Sequence, residues 1–292
     1  MKEGEILEIG GTEWKRILTE IGGFNFFQKE EWLNIVSKEF HLTNRYFRIK
    51  LKEGEAFICL QCNGKKAYSN FIGYGGPISN SNLDQFIIET FVNEIEAKFN
   101  IRIERIKLFP GKIISIKNTR WSTKTTSILE IRNDWESRIS KNARNSVNNA
   151  NKNLIYVRFI TAAEFDQFYS LYEKTMERVK SSYKTSKPFF KKIFLLKNTY
   201  FIGAFKTKEL IAVSVFLNNE KWSHYWWNAS SQSGRKYNAN YLIMFFAIKK
   251  LADNKFRFLD MASSNNNRIL DFKRRWGAKD VEFSLFSNLR KD

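Results

Sequence analysis

The segment Ser140-Lys-Asn-Ala-Arg-Asn-Ser-Val sets Lys141 and Arg144 three residues apart among asparagines. A guanidinium fork beside an ammonium and several amides is a donor set suited to phosphate oxygens, although a solvated helix face reads the same way. A second basic run, Asp271-Phe-Lys-Arg-Arg-Trp-Gly-Ala, puts Lys273 on a short helix closed by Gly277. A cation there could oppose negative charge developing on a reacting oxygen, or simply favour the helix dipole. His224 lies in Lys221-Trp-Ser-His-Tyr-Trp-Trp-Asn. It is conceivable as a general base, as are Tyr225 and Asp260, against a purely structural role for a histidine among aromatics. Strand alternation predicts Trp222, His224 and Trp226 on one face and Ser223, Tyr225 and Trp227 on the other.

Other patterns promise less chemistry. Cys59 and Cys62 fall inside a predicted strand, where residues three apart face opposite ways, so two ordinary thiols are expected and no metal site. Gly73-Tyr-Gly-Gly-Pro77 carries glycines that permit positive φ and a close ligand approach, but no Gly-Lys-Ser/Thr follows to make a phosphate loop. A serine nucleophile elbow, Gly-x-Ser-x-Gly, is missing, so no Ser-His-Asp order can be argued.

These residues need a scaffold, and the hydrophobic periodicity supplies one. In the first half it predicts helices around Trp14–Ile21, Lys29–Phe40 and Asn82–Phe99. The strands expected there are Glu5–Ile9, Arg45–Leu51, Glu55–Leu60, Lys65–Ile72, Arg102–Phe109, Lys112–Ile116 and Ser127–Ile131. The second half repeats the plan, opening with a polar helix over Asp134–Lys152 and a strand over Leu154–Ile160. An amphipathic helix through Phe165–Val179 and a basic, serine-rich loop over Val179–Pro188 come next. Strands Tyr200–Phe205, Leu210–Leu217 and Trp222–Trp227 lead to a helix Asn240–Ala252. A strand Phe256–Asp260, a short helix near Leu270–Trp276 and a strand Val281–Phe286 complete the pattern. Hairpins and helices mixed in this way give an α+β class. Domains are expected at 1–132 and 133–282, with 283–292 as a tail packing back on the first.

The chain has 292 residues, 43% hydrophobic and 16% aromatic, which is ample for two cores and argues against disorder. Its net charge of +19 draws polyanions or an anionic membrane face. With no signal peptide and no long apolar run, the sequence reads as cytoplasmic, with peripheral contact at the inner membrane face left open. A basic nucleic-acid-binding module is a competing non-enzymatic reading, but no recognition motif for one is found.

Taken in order, several landmarks resemble the FemAB/FemX family of aminoacyltransferases. They are Phe26-Phe27 ahead of Trp32, the Gly76-Pro77 turn, Arg144/Val147/Ala150 in a basic helix, Asn240-Tyr241-Leu242, and Phe272-Lys273 with Trp276-Gly277. The resemblance implies two tandem GNAT-like domains and acyl transfer to an amine. The donor would be aminoacyl-tRNA, and the acceptor an amine of a peptidoglycan precursor or a surface-glycan amino sugar. It implies Lys273 as the electrostatic catalytic group, with Phe272 setting its position. Lys141 and Arg144 would hold donor phosphates, and Tyr74, Gly76 and Tyr225 complete the candidate substrate-binding set. No cofactor is implied. Gly75 and Asn80 stand where many peptidoglycan-acting members carry Arg and Asp, which favours a different amine. Acetyl-coenzyme A is the alternative donor; against it, Ser231–Asn238 has one glycine followed by bulky Arg235 and Lys236.

Overall fold

The chain divides into two units, Met1–Thr125 with Glu282–Asp292, and Thr126–Val281. The computed structural model describes residues 4–80, 85–114, 120–181 and 184–288. In the first unit the elements run β1 (Ile6–Ile9), α1 (Gly11–Ile21), α2 (Glu30–Phe40), β2 (Thr43–Lys50) and β3 (Glu55–Asn63). They continue with β4 (Lys66–Ser69), β5 (Ile78–Ser79), α3 (Gln85–Phe99) and β6 (Arg102–Lys107). The sheet order is β1-β2-β3-β4-β6, antiparallel except for the parallel pair β4 and β6, with β5 paired to β3.

Alternation along β3 sorts its side chains between two cores. Ile58, Leu60 and Cys62 join Phe91 and Ile95 of α3, whereas Phe57 and Cys59 join Trp14 and Leu33 of α1 and α2. The two thiols therefore sit on opposite faces of the sheet, both free and buried, and burial pushes both upward in pKa. Two landmarks of the first half meet in one aromatic knot. A 3-10 turn, Phe26–Gln28, is capped by Asn25, and Gln28 Nε2 donates to the Gly76 carbonyl at 3.1 Å. Gly73, at φ 98°, lets the Phe27 ring lie where a Cβ would be 2.2 Å away. Tyr74 packs edge-on against Phe27, Phe109 and Phe283.

The second unit runs β7 (Trp121–Glu130, whose first residues belong to the first unit), α4 (Lys141–Lys152), β8 (Ile155–Phe159), α5 (Phe165–Arg178) and α6 (Lys187–Phe194). Three long strands come next, β9 (Thr199–Lys206), β10 (Glu209–Asn219) and β11 (Trp222–Ser230). Then come α7 (Gln232–Lys236), α8 (Ala239–Asp253), β12 (Phe258–Asp260) and α9 (Asn267–Arg274). The order is β7-β12-β11-β10-β9-β8, antiparallel except for the parallel pair β11 and β12. The last strand, β13 (Lys279–Ser287), returns to the first unit, where Leu285–Ser287 pair with β6. One face of the second sheet carries α8 and α4 over Ile202, Ala204 and Phe216. The other carries α5 and α6, whose Phe168 and Phe194 meet Phe201 of β9.

Each unit is thus a mixed sheet with helices packed on it, in the α+β class the sequence predicts. Local differences have local causes. The polar helix begins at Lys141 rather than Asp134, because the Ser140 hydroxyl caps it by accepting the Ala143 N–H and the preceding residues form turns. Strand β4 stops at Ser69, because Asn70 takes a positive φ of 60°. Residues 112–114 are not a strand. The expected helix start at 82–84, the end of the strand at 115–116, loop residues 182–183 and the tail beyond 288 lie outside the described residues. Among the described residues no helix is long and apolar enough to cross a membrane.

Gly234 of α7 sits against β10, where an added Cβ would lie 2.3 Å from the Ile211 carbonyl oxygen. Gly234→Ala should lower the urea midpoint by an amount worth about 2 kcal/mol, because backbone must move. Gly10→Ala, with open space around it, should stay within about 0.5 kcal/mol. A second expectation concerns pH. Arg158 forks the Glu164 carboxylate, which also caps Thr161, and holds its pKa near 2 against an ordinary 4.5. A depressed carboxyl pKa stabilises the fold above the unfolded value. The gap between parent and Glu164→Gln, about 1 kcal/mol for a partly exposed pair, should therefore close as pH falls from 4.5 towards 2 in equilibrium denaturation.

Candidate functional site

The parallel strands β11 and β12 pair only over Trp222–His224 with Phe258–Asp260. β12 ends at Asp260 while β11 runs on to Ser230. The two chains part there, and no strand among the described residues covers that edge of β11. On its other edge β11 follows β10 through a bulge, with Phe216 opposite Tyr225 but Val215 opposite Trp227. Trp226 is the extra residue. The alternation read from sequence holds as far as Tyr225, which stacks on Phe216 at 5.2 Å. The bulge then turns Trp227 onto the same side as Trp226, where both rings meet Phe190 of α6.

At the fork Asp260 is 2% exposed and fully engaged. Its Oδ1 accepts from the Thr126 hydroxyl at 2.6 Å and from the Ala262 N–H at 2.8 Å, and its Oδ2 lies 2.8 Å from His224 Nδ1. Ala262 is held at φ +62°, a left-handed conformation uncommon for alanine. Its carbonyl accepts a 2.5 Å hydrogen bond from Lys273 Nζ. Lys273 is itself 2% exposed. Burial lowers its pKa below the ordinary lysine value, and the Asp260 and Asp280 carboxylates oppose that shift. Two of its three N–H donors have no protein partner among the described residues.

Beyond the fork lies a cavity of about 670 Å³. Its walls are the end of α5, residues 225–228 of β11, α7, the start of α8, the 261–264 turn and α9. Lys273, Phe272 and Tyr225 all line it. Burial pushes the Tyr225 phenol up to about 12, with a hydrogen bond from Ser214 as the smaller, opposing effect, so it stays protonated at neutral pH. Tyr225 and Trp227 belong to opposite faces of β11, and both reach the cavity because that strand edge is open. The described lining holds four cations, Arg178, Arg235, Arg268 and Lys273, and no carboxylate. A second cavity of about 580 Å³ shares Arg178 and Arg235 with it.

Other candidates are placed elsewhere. Lys141 and Arg144 are exposed on α4 and do not line the cavity, while Ala143, Val147 and Ala150 of that helix enter the core. His224 and Asp260 face each other rather than the cavity lining. Tyr74 is 1% exposed in the first unit, and Gly76 there takes φ 93° against Leu108. A side chain at Gly75 would meet the Ser69 carbonyl at 2.3 Å, and Asn80 Oδ1 accepts the Glu55 N–H, so both positions carry structural loads. Among the described residues no group of three or more potential metal-ligating side chains occurs.

Sequence reasoning missed Arg178, Arg235 and Arg268 as wall residues, since each looks like one more basic position in a basic chain. It also missed a reciprocal amide pair. Asn228 Nδ2 donates to Asn240 Oδ1 at 2.9 Å, and Asn240 Nδ2 returns a bond to Asn228 Oδ1 at 3.2 Å. The Asn240-Tyr241-Leu242 motif was a signal for it. Tyr241 meanwhile packs on Phe272 and Trp276 and accepts from Arg275, tying α8 to α9.

No protein-family model and no curated protein sequence matches the chain. Solved structures do. FemX aligns over 96% of both chains at 14% identity and a TM-score of 0.67. The C-terminal domain of a putative lysylphosphatidylglycerol synthetase from Agrobacterium fabrum aligns over 96% of this chain and 93% of that one, at 10% identity and TM-score 0.60. A tandem GNAT protein from the clavulanic acid biosynthesis pathway aligns over 99% and 100%, at 8% identity and TM-score 0.53. At these identities the likeness is one of fold, and the fold is tandem GNAT-like.

The amide pair bridging β11 and α8 should be worth measuring directly. Asn228→Ala removes the partner of the half-buried Asn240 amide and one of the bonds to the Ser214 hydroxyl, which should cost about 1 kcal/mol in chemical denaturation. A double-mutant cycle with Asn240→Ala should show positive coupling, and independent, additive losses would mean that the pair does not hold the cavity wall together.

Proposed function

We propose that this chain is an acyltransferase that moves an aminoacyl group from aminoacyl-tRNA to an amine, making an amide. The observation that supports it best is the buried Lys273 ammonium in a cation-lined cavity at the β11/β12 fork, free of carboxylates among the described residues. Such a cavity suits a ligand that carries phosphate and develops negative charge on an ester oxygen. Under this reading the amine attacks the ester carbonyl, and the resulting oxyanion takes the free donors of Lys273. The protonated Tyr225 phenol gives its proton to the departing ribose oxygen and receives the proton leaving the new ammonium. Charge and proton count then balance without a separate base. Phe272, packed on Tyr241, keeps α9 and Lys273 in register. Lys141 and Arg144 serve the tRNA body by their exposed charge, outside the cavity. Tyr74 and Gly76 act on the acceptor side only by shaping their loop.

The acceptor in this proposal is an amino sugar or peptide amine of a surface-glycan or peptidoglycan precursor. The filled backbone environment at Gly75 favours the first, because no arginine side chain fits there. A second reading keeps an acyl-coenzyme A donor, which the tandem GNAT-like fold favours. Against it, the single glycine of the loop, Gly234, is required by contact with Ile211 and not by a pyrophosphate.

The test is a transfer assay with charged tRNA and acetyl-coenzyme A compared as donors on a panel of amines, each with an RNase control. Transfer lost on RNase treatment supports the tRNA reading; RNase-insensitive transfer from the thioester overturns it. Lys273→Met should lower turnover by roughly 10²–10³, the scale for one oxyanion donor, while keeping a cooperative thermal transition that shows the chain still folds. A cation with a lowered pKa is lost as pH rises. Turnover should therefore decline at a pH below the ordinary lysine value of 10.5, and the residual rate of Lys273→Met should lack that decline.

A further inference from the structure

The cavity wall carries information about the group being transferred, given the acyltransfer reading above. Its charged side chains all have one sign among the described residues, and one of them, Lys273, is buried. The carboxylates nearest these cations lie off this wall: Asp166 and Glu209 line the neighbouring cavity that shares Arg178 and Arg235, and Asp260, which acts on Lys273, is already engaged by Thr126, Ala262 and His224. An acyl group with its own ammonium or guanidinium would find no carboxylate on this wall and would meet the like charge of buried Lys273, while Arg178, Arg235 and Arg268 are exposed. The remaining wall is aromatic and soft. The β11 bulge brings Trp226 and Trp227 together onto one side. Trp227 is braced edge-on by Tyr172 at 5.3 Å, and Trp226 leans on Phe190 at 5.7 Å. The two indoles are thus held in place before any ligand arrives. Met261, buried at the fork, adds a polarisable surface that conforms to apolar shapes.

We infer that the transferred acyl group has an uncharged, apolar side chain, aromatic in preference to small, and that cationic acyl groups are rejected. The cations answer the phosphate and the developing oxyanion of the donor, and the Trp226–Trp227 side receives the acyl side chain. Ile269, 48% exposed on α9 at the cavity rim, marks a place where the charge rule can be altered without touching the core.

The experiment is a binding series with non-hydrolysable 3′-aminoacylamino-3′-deoxyadenosine 5′-phosphates carrying phenylalanyl, alanyl, aspartyl or lysyl groups, measured by calorimetry on the full chain. The phenylalanyl compound should bind roughly tenfold or more tightly than the lysyl one, with alanyl between them. Trp226→Leu should erase most of the phenylalanyl advantage, and Ile269→Glu should raise lysyl affinity roughly fivefold by supplying the missing carboxylate. Lysyl or aspartyl binding as tight as phenylalanyl binding overturns the inference while leaving the donor reading intact. If no aminoacyl compound binds better than 3′-amino-3′-deoxyadenosine 5′-phosphate itself, the aminoacyl-tRNA reading falls and the inference with it.

Discussion

A carboxylate taken out of water must be given donors, and the fold meets that demand in full at Asp260. One oxygen takes the Thr126 hydroxyl and the Ala262 N–H, and the other faces His224. Accepting an N–H two residues further on bends the chain at the end of β12 and holds Ala262 in its left-handed conformation. That conformation presents the Ala262 carbonyl to Lys273, the most deeply buried cation of the cavity. Satisfying one buried charge thereby fixes the strand end, the turn and the ammonium together. His224 belongs to this support through its contact with Asp260.

The fork turns that local arrangement into a site. Parallel strands that stop pairing leave an open edge, and an open edge admits side chains from both faces of β11 to the same space. Tyr225 comes from the α8 side and Trp227 from the α5 and α6 side. An ordinary alternating strand would also have put Trp226 and Trp227 on opposite faces; the bulge spends one residue to bring them together. The Asn228–Asn240 pair keeps the strand and the start of α8 from separating where no ladder bond can do so.

The fold class, the order of elements and the division of Cys59 and Cys62 between two cores were legible, because each rests on periodicity that short-range sterics impose. The Phe-Lys and Trp-Gly spacing likewise singled out the segment that packs against Tyr241 and brings Lys273 to the cavity wall. The bulge was not legible, since nothing in Tyr-Trp-Trp-Asn announces which residue is extra; that is decided by Phe216 and Val215 on the neighbouring strand. Nor could sequence separate Arg178, Arg235 and Arg268 from the other basic residues. They come from three elements far apart in the chain, and only the tertiary fold assembles them. Lys141 and Arg144 stood out for the opposite reason. A helix with an Ala-Val-Ala stripe must put everything else outward, which concentrates its polar residues without placing them in a cavity.

The distribution of charge separates two roles that the net +19 conflates. Arg45 is forked by Glu8, Arg48 lies against Glu13 and Glu55, and Arg158 holds Glu164, so each of these cations is answered within the fold. The described cavity wall has cations with no such answer. Salt screens exposed charges beyond about 8 Å at physiological ionic strength, so the whole-molecule field can gather a polyanion but cannot orient it inside the fork. Orientation must come from groups within contact distance, and of these Lys273 is the one held by a buried network. On the proposed reading, a negative group meets Lys273 and an apolar one lies along Trp226 and Trp227, and a donor that joins a phosphorylated end to an uncharged acyl group would meet both in one molecule.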